Sequence, residues 1–280
     1  MQMLPVVRRH ACPAIAFGIA MAMLGGASVW GQRQPRSHEE LQFSLELIDA
    51  QAFGPNTHQG IDGDPSAEVA ASWKRYGVLA DGVSVVAVRL KPASYNGAVT
   101  FTLKGLNSHY PQNPEYTGSL SAAFPAIPAP DQGPGTGAMS VTVPAGSRKI
   151  VFYRPPASYF YEAGRDREEL AIEAAPADGA DQAEFDYAGQ TFTLYRPTLL
   201  LNHGIFSGPA TFAVLRHQIP AESVTLRDID WSEYNASGFD DITPFLSNGA
   251  ADEIARLRFQ KIAAARLDLF GHSTGGVMLK

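Results

Sequence analysis

The sequence predicts two unlike parts in one chain, an antiparallel β-sandwich followed by a parallel, doubly wound sheet that stops at a sharp turn. Three observations predict this. From about Leu41 to Tyr195 the chain is rich in Val, Thr, Tyr, Phe, Gly and Pro, with short alternating runs at hairpin spacing. From Tyr195 onward, continuous apolar runs alternate with stretches of helical periodicity, the pattern of buried strands joined by crossover helices. Finally, Leu267-Asp268-Leu269-Phe270 runs straight into Gly271-His272-Ser273-Thr274-Gly275, a strand entering a turn that needs glycine on either side of a serine.

The first element belongs to neither fold. Met1 to His10 carries Arg8 and Arg9, Ala11 to Ala27 is apolar and rich in small residues, and Val29-Trp30-Gly31 offers a cleavage site before Gln32. That arrangement predicts a secretory signal peptide over residues 1–31. Its apolar stretch of about 17 residues is short of the roughly 20 that a membrane span needs. Removing it moves the formal net charge from −6 to −8 and takes away Cys12, the one cysteine. The mature chain then has neither a disulfide nor a thiolate metal site. The expected location is outside the cytoplasm (secreted, periplasmic or on the cell surface), and an exported chain without cysteine leans towards a bacterial source.

A net acidic chain without basic runs is not built for nucleic acid. The sequence carries no nucleotide-binding loop and no cluster with metal-ligand spacing, so no cofactor and no metal are implied. Asp62-Gly63-Asp64 reads as a solvated turn rather than a calcium loop.

The sandwich is expected over residues 32–194, with strands at Gln42–Ile48, Val83–Leu90, Ala98–Leu103, Ser119–Phe124, Ser140–Val143, Lys149–Tyr153, Glu169–Glu173 and Thr191–Tyr195. Turn-rich pieces, notably Pro125 to Gly137, separate them. Ala80-Asp81-Gly82-Val83-Ser84 with Val85-Val86-Ala87-Val88, and Gly97-x-Val99-x-Phe101-x-Leu103, resemble the strands of bacterial Ig-like modules of the invasin type. Such a module would space the second part or, through Tyr153, Tyr159, Phe160 and Tyr161, bind a polymer or surface.

The second part is expected over residues 195–280. Thr198 to Asn202 reads as a buried strand ending in His203-Gly204, and Pro209 to Gln218 as a helix with Phe212, Leu215 and Ile219 on one face. Ser223 to Leu226 reads as the next strand, Asp228 to Asp241 as a variable loop, and Gly249 to Ala265 as a helix. On that helix Ile254, Leu257, Ile262 and Ala263 are expected inward, with Glu253, Arg256 and Lys261 outward. Together with the turn at 271–275, this order resembles the first half of an α/β-hydrolase of the lipase/esterase kind.

That resemblance assigns roles. Ser273 would be the nucleophile, and the backbone N–H groups of Thr274 and Ile205 would form the oxyanion hole, worth about 3–4 kcal/mol per donor. Gly204, Gly271 and Gly275 would permit close backbone approach. His203 would order the oxyanion loop, and the ring of His272 would pack under the turn. A serine hydroxyl needs a base within reach, yet every histidine (His10, His38, His58, His109, His203, His217 and His272) precedes Ser273. In the resembling family the acid and the base follow the serine. The expectation is therefore a secreted carboxylic ester hydrolase, incomplete and inactive as an isolated 280-residue chain. Its partners would be an ester substrate or a lipid or polymer surface, not a nucleotide. Acyl transfer to an acceptor other than water uses the same chemistry. The alternative is a non-catalytic exported β-sandwich protein carrying a hydrolase remnant.

Overall fold

The structure is a computed structural model that describes residues 43–50, 69–92, 94–106, 113–124, 138–157, 166–177, 187–220 and 223–279. All of these belong to the unit spanning Glu40–Lys280. The expected signal peptide, Cys12, the Asp62–Asp64 turn, the turn-rich piece 125–137, and Tyr159, Phe160 and Tyr161 lie outside the described residues.

Two sheets carry the main core. One has the order β1 (Ser44–Asp49), β3 (Val86–Lys91), β7 (Ile150–Arg154), β5 (Ser119–Ser121), with every neighbouring pair antiparallel. The other has six strands in the order β12 (Ile262–Ala263), β2 (Gly77–Leu79), β9 (Ala188–Tyr195), β8 (Arg167–Pro176), β4 (Val99–Gly105), β6 (Ser140–Val143). Alternation along β4 explains the packing. Val99, Phe101 and Leu103 turn inward and are buried, while Thr100 and Thr102 face out and meet Thr142 and Ser140 of β6 across the strand.

The inward rows of the two sheets meet in one core: Leu45, Leu47, Val86, Val88, Leu90, Val151 and Tyr153 from the first, and Phe101, Leu103, Leu170, Ile172, Phe192 and Leu194 from the second. Burying each large side chain contributes about 1.5–3 kcal/mol. Tyr153 meets Phe192 edge-on at 5.0 Å, and its hydroxyl donates to the Thr117 carbonyl at 2.9 Å, so the one polar atom of this ring is satisfied. Thr117 closes the short helix α1 (Pro114–Thr117), capped by the Asn113 side chain.

A third sheet is parallel and has three strands, β11 (Leu226–Ile229), β10 (Leu199–Asn202) and β13 (Asp268–Gly271). Helix α2 (Ala213–Gln218), led by a 3₁₀ turn at Pro209–Phe212, lies between β10 and β11 in the chain. Helix α3 (Phe239–Phe259) follows β11, and α4 (Thr274–Val277) follows β13. Ile242 of α3 packs with Leu200, Ile229 and Trp231, and Gly249 lets the helix approach Ile229: an added Cβ there would sit 3.1 Å from the Ile229 Cγ1.

This topology corrects the expected fold class. The described residues are mainly β, in two largely antiparallel sheets, with four α-helices of which only α3 exceeds six residues. A doubly wound sheet needs helical layers on both faces. Here the parallel sheet has three strands, and the edge strand β13 leaves Leu269 and Phe270, on opposite faces, both exposed. The α/β-hydrolase description therefore does not hold for this fold. Nor does the Ig-like one: Ig sandwiches are antiparallel throughout, whereas β12, β2 and β9 run parallel.

Local expectations shift as well. The helix expected from Gly249 to Ala265 begins at Phe239 and ends at Phe259, and Ile262–Ala263 forms β12 on the edge of the six-stranded sheet. Glu253, expected outward, is buried. It accepts from Thr198 Oγ1 at 2.9 Å and from Arg256 Nε and Nη2 at 2.6 Å. Burial acts to raise the Glu253 pKa, and the bonds from Arg256 and Thr198 outweigh it, leaving the carboxyl below its ordinary range. The strand expected at Ser223–Leu226 lies at Leu226–Ile229, so Asp228 is a strand residue, ion-paired with Arg216.

Asp81 joins the sandwich to the segment leading into β13. Its Oδ1 accepts from the N–H groups of Val83 (3.0 Å) and Ser84 (2.8 Å). Its Oδ2 accepts from Ser84 Oγ (2.7 Å), Ala265 N (3.0 Å) and Arg266 N (3.1 Å). The buried carboxylate is thus satisfied from both sides of the joint.

Candidate functional site around Ser273

In-register parallel pairing decides which residues meet. Asn202 is opposite Gly271 on β13 and Ile229 on β11, so the segments that follow these strands emerge at one end of the sheet. In parallel sheets that carboxyl end is where ligands are met. Here it brings together His203 and Gly204 after β10, Asp230 and Trp231 after β11, and His272 and Ser273 after β13.

Ser273 sits between β13 and α4 with φ 56° and ψ −124°. A residue with a Cβ is held there at a cost of about 1–3 kcal/mol, and such strain persists only where the surroundings fix it. The surroundings do so through glycine. A Cβ on Gly275 would collide with the carbonyl oxygens of Asn202 and His203, so the start of α4 lies directly on the end of β10. A Cβ on Gly271 would reach the Gly275 carbonyl at 2.6 Å, so the strand and helix cross at backbone contact. Gly204 closes the third side: a Cβ there would come within 2.9 Å of the Ser273 Cβ and 3.3 Å of its Oγ. Ser273 itself is exposed.

The loop after β10 is held from below. His203 is fully buried, stacks on the Trp231 indole at 4.3 Å between ring centroids, and accepts the Trp231 backbone N–H at Nε2 (3.2 Å). With Nε2 accepting, the proton of the neutral ring is on Nδ1, which donates to the Gly204 carbonyl at 2.9 Å. Ser207 Oγ donates to the same carbonyl at 2.6 Å. Because a trans peptide sets its C=O and N–H in opposite directions, fixing the Gly204 carbonyl fixes the direction of the Ile205 N–H. The N–H of Thr274, at the first position of α4, is one of the groups a helix start leaves without an internal acceptor.

Asp230 Oδ1 lies 3.4 Å from His203 Nε2, on the solvent side. The carboxyl is held below its ordinary range chiefly by hydrogen bonds from Ser232, the backbone N–H at 3.0 Å first. Among the described residues no cluster of three or more His, Cys, Asp or Glu side chains could hold a metal ion.

Of the residues expected at the site, Ser273, Gly204, Gly271, Gly275 and His203 therefore meet at one end of the parallel sheet, with Ile205 and Thr274 next to them in the chain. His272 departs from its expected placement, since it is exposed rather than packed under the turn. Phe206, also at positive φ (55°), and Ile205 stand out into solvent beside the serine loop. Sequence reasoning missed two residues, Asn202 and Trp231. Asn202 Oδ1 accepts the Trp231 indole N–H at 2.8 Å, and its Nδ2 donates to the Gly275 carbonyl at 3.1 Å. An Asn ending an otherwise all-Leu strand, and a Trp just after the neighbouring strand, were the signals available.

No family model matches the chain, and no curated protein matches it. Among solved structures it is similar to the reeler domain of human F-spondin, at 15% identity and a TM-score of 0.22, over 55% of this chain and 80% of that one. A likeness that loose carries no argument about either fold or chemistry.

Proposed function

We propose that Ser273 is the nucleophile of an exported serine hydrolase acting on carboxylic esters. The observation that carries this reading is the serine's backbone: an exposed Ser held at φ 56°, ψ −124° on a glycine-lined turn between strand and helix. A structural serine has no need of that conformation, and strain of this kind concentrates at functional sites. In the reaction, Ser273 Oγ attacks the ester carbonyl carbon and the carbonyl oxygen takes the negative charge. The N–H groups of Ile205 and Thr274 donate to that oxygen. The alcohol departs with the serine proton, and water then cleaves the acyl-serine to release the carboxylic acid. His203 is not the base, because its ring is buried and both nitrogens are engaged by backbone groups of Gly204 and Trp231. Export rests on the apolar, Arg-led segment at residues 1–31.

The test is labelling with a fluorophosphonate probe, with and without imidazole as an added base. Slow labelling that imidazole accelerates and that Ser273→Ala abolishes is the expected result. Absence of Ser273-dependent labelling at every imidazole concentration refutes the proposal and favours a non-catalytic exported β-sandwich protein.

A further inference from the structure

We infer that Trp231 is the positioning residue that sets the Ser273 turn against the Gly204 loop, an inference resting on the serine-nucleophile reading above. Three contacts converge on this one buried residue. Its backbone N–H occupies His203 Nε2 and so dictates the Nδ1–H tautomer that donates to the Gly204 carbonyl. Its indole ring stacks on the His203 imidazole, with 21° between planes. Its indole N–H occupies Asn202 Oδ1, which turns the Asn202 amide so that Nδ2 donates to the Gly275 carbonyl. One arm thus runs from Trp231 through His203 to the Gly204 peptide, whose other end is the Ile205 N–H. The second runs through Asn202 to the first turn of α4, behind Ser273.

The wrong tautomer shows why the device is specific. With the proton on Nε2, Nδ1 becomes an acceptor facing the Gly204 carbonyl oxygen, two lone pairs meet in a buried site, and the loop turns away. The Asn202 amide is constrained in the same manner. Flipped, it would present NH₂ to the indole N–H and oxygen to the Gly275 carbonyl, mismatching both contacts. Trp231 therefore selects both orientations at once, from a strand end that contributes nothing to the reacting atoms.

The experiment uses the full chain with Trp231→Phe, which keeps an aromatic face on His203 but lacks the indole N–H, and with Asn202→Asp, which keeps the acceptor for Trp231 but lacks the donor to Gly275. The His203 tautomer is read by ¹⁵N NMR of the ring, and protection of the Gly275 and Gly276 amides by hydrogen exchange. Asn202→Asp is expected to speed Gly275 and Gly276 exchange about tenfold, the scale of one buried hydrogen bond, with the His203 tautomer unchanged. Trp231→Phe is expected to do the same, with the Nδ1–H tautomer kept because the backbone N–H of residue 231 remains, while exchange in β8 stays as in the parent. Fluorophosphonate labelling in the presence of imidazole is expected to fall about tenfold in both variants. If Trp231→Phe leaves exchange at 275–276 within twofold of the parent, or if the parent ring carries its proton on Nε2 rather than Nδ1, the inference is overturned. Should the parent protein fail to label at all, the nucleophile reading falls, while the tautomer and exchange data still judge the coupling.

Discussion

Replacing Asp81 tests whether one carboxylate ties the sandwich to the segment that delivers Ser273. Asp81→Ala removes the acceptor for five donors: Val83 N, Ser84 N, Ser84 Oγ, Ala265 N and Arg266 N. Hydrogen bonds to a charged group are worth about 1.5–3 kcal/mol each, but a sum over five overshoots, since donors that reach water are satisfied there. Ser84 is buried, whereas Val83 and Ala265 are half-buried and Arg266 is exposed. The two Ser84 donors, stranded at roughly 1–3 kcal/mol apiece, therefore set the scale, and the expected loss is about 3–4 kcal/mol. Asp81→Asn is gentler overall, about 2 kcal/mol, because Oδ1 survives. Its new NH₂ faces Ala265, Arg266 and the Ser84 hydroxyl, so it loosens the joint selectively. Urea unfolding measures the first effect, and limited proteolysis at 264–267 reads the second. A midpoint for Asp81→Ala within about 0.5 kcal/mol of the parent, with 264–267 still resistant, refutes the reasoning.

The remaining predictions concern strain, packing and pH. Ser273→Gly relieves the positive-φ strain and is expected to stabilise the protein by about 1 kcal/mol in denaturant unfolding, with no gain indicating that the turn is unstrained. Gly275→Ala drives a methyl into the Asn202 and His203 carbonyls and is expected to cost at least about 3 kcal/mol or to detach α4, seen as lost protection of the Gly276 amide. Phe101→Ala, at the fully buried centre of the sandwich, is expected to cost about 3–5 kcal/mol by the same unfolding measurement.

Glu46 makes stability depend on pH. Burial acts to raise its pKa, but Arg89 at 2.7 Å, Lys91 at 3.0 Å and Lys74 at 3.0 Å outweigh it and hold the carboxyl at about 2 against an ordinary 4.5. A depressed carboxylate stabilises the fold above the unfolded value, so this contribution is complete above pH 4.5 and is lost as pH falls towards 2. At roughly 1.4 kcal/mol per pH unit the ceiling is about 3 kcal/mol, and solvent around the two lysines reduces it to about 1.5. Glu46→Gln is expected to flatten the stability profile between these limits, and an unchanged slope would count against it.

Strands with a clear period of two were legible in the sequence. Ser140–Val143 appears at the expected residues, and each of the eight strands expected before Tyr195 overlaps an observed one. What escaped was short or dependent on tertiary partners. Gly77–Leu79 and Ile262–Ala263 are too brief for any periodicity to register, and each is defined by its neighbours, β2 by β9 and β12 by β2. Helix α3 starts ten residues before the expected Gly249, and its first turns carry Pro244, a residue that disfavours a helix interior. Packing overrides that preference, with Ile242 buried against Leu200, Ile229 and Trp231 and Gly249 letting the helix lie close on Ile229. The parallel arrangement of 198–202 and 268–271 was readable, but the inference from there to a large wound sheet was not. Local pattern specifies a strand and its turn, whereas sheet size depends on which edges find partners, and β13 leaves one edge open.

The pairing of β12 with β2 has a temporal consequence during synthesis. Residues 77–79 leave the ribosome long before 262–263, so the larger sheet keeps a bare parallel edge until about 180 further residues have been made. A chain cut after Tyr195 would retain that bare edge permanently, and is expected to self-associate through it more readily than the chain that includes residues 262–263.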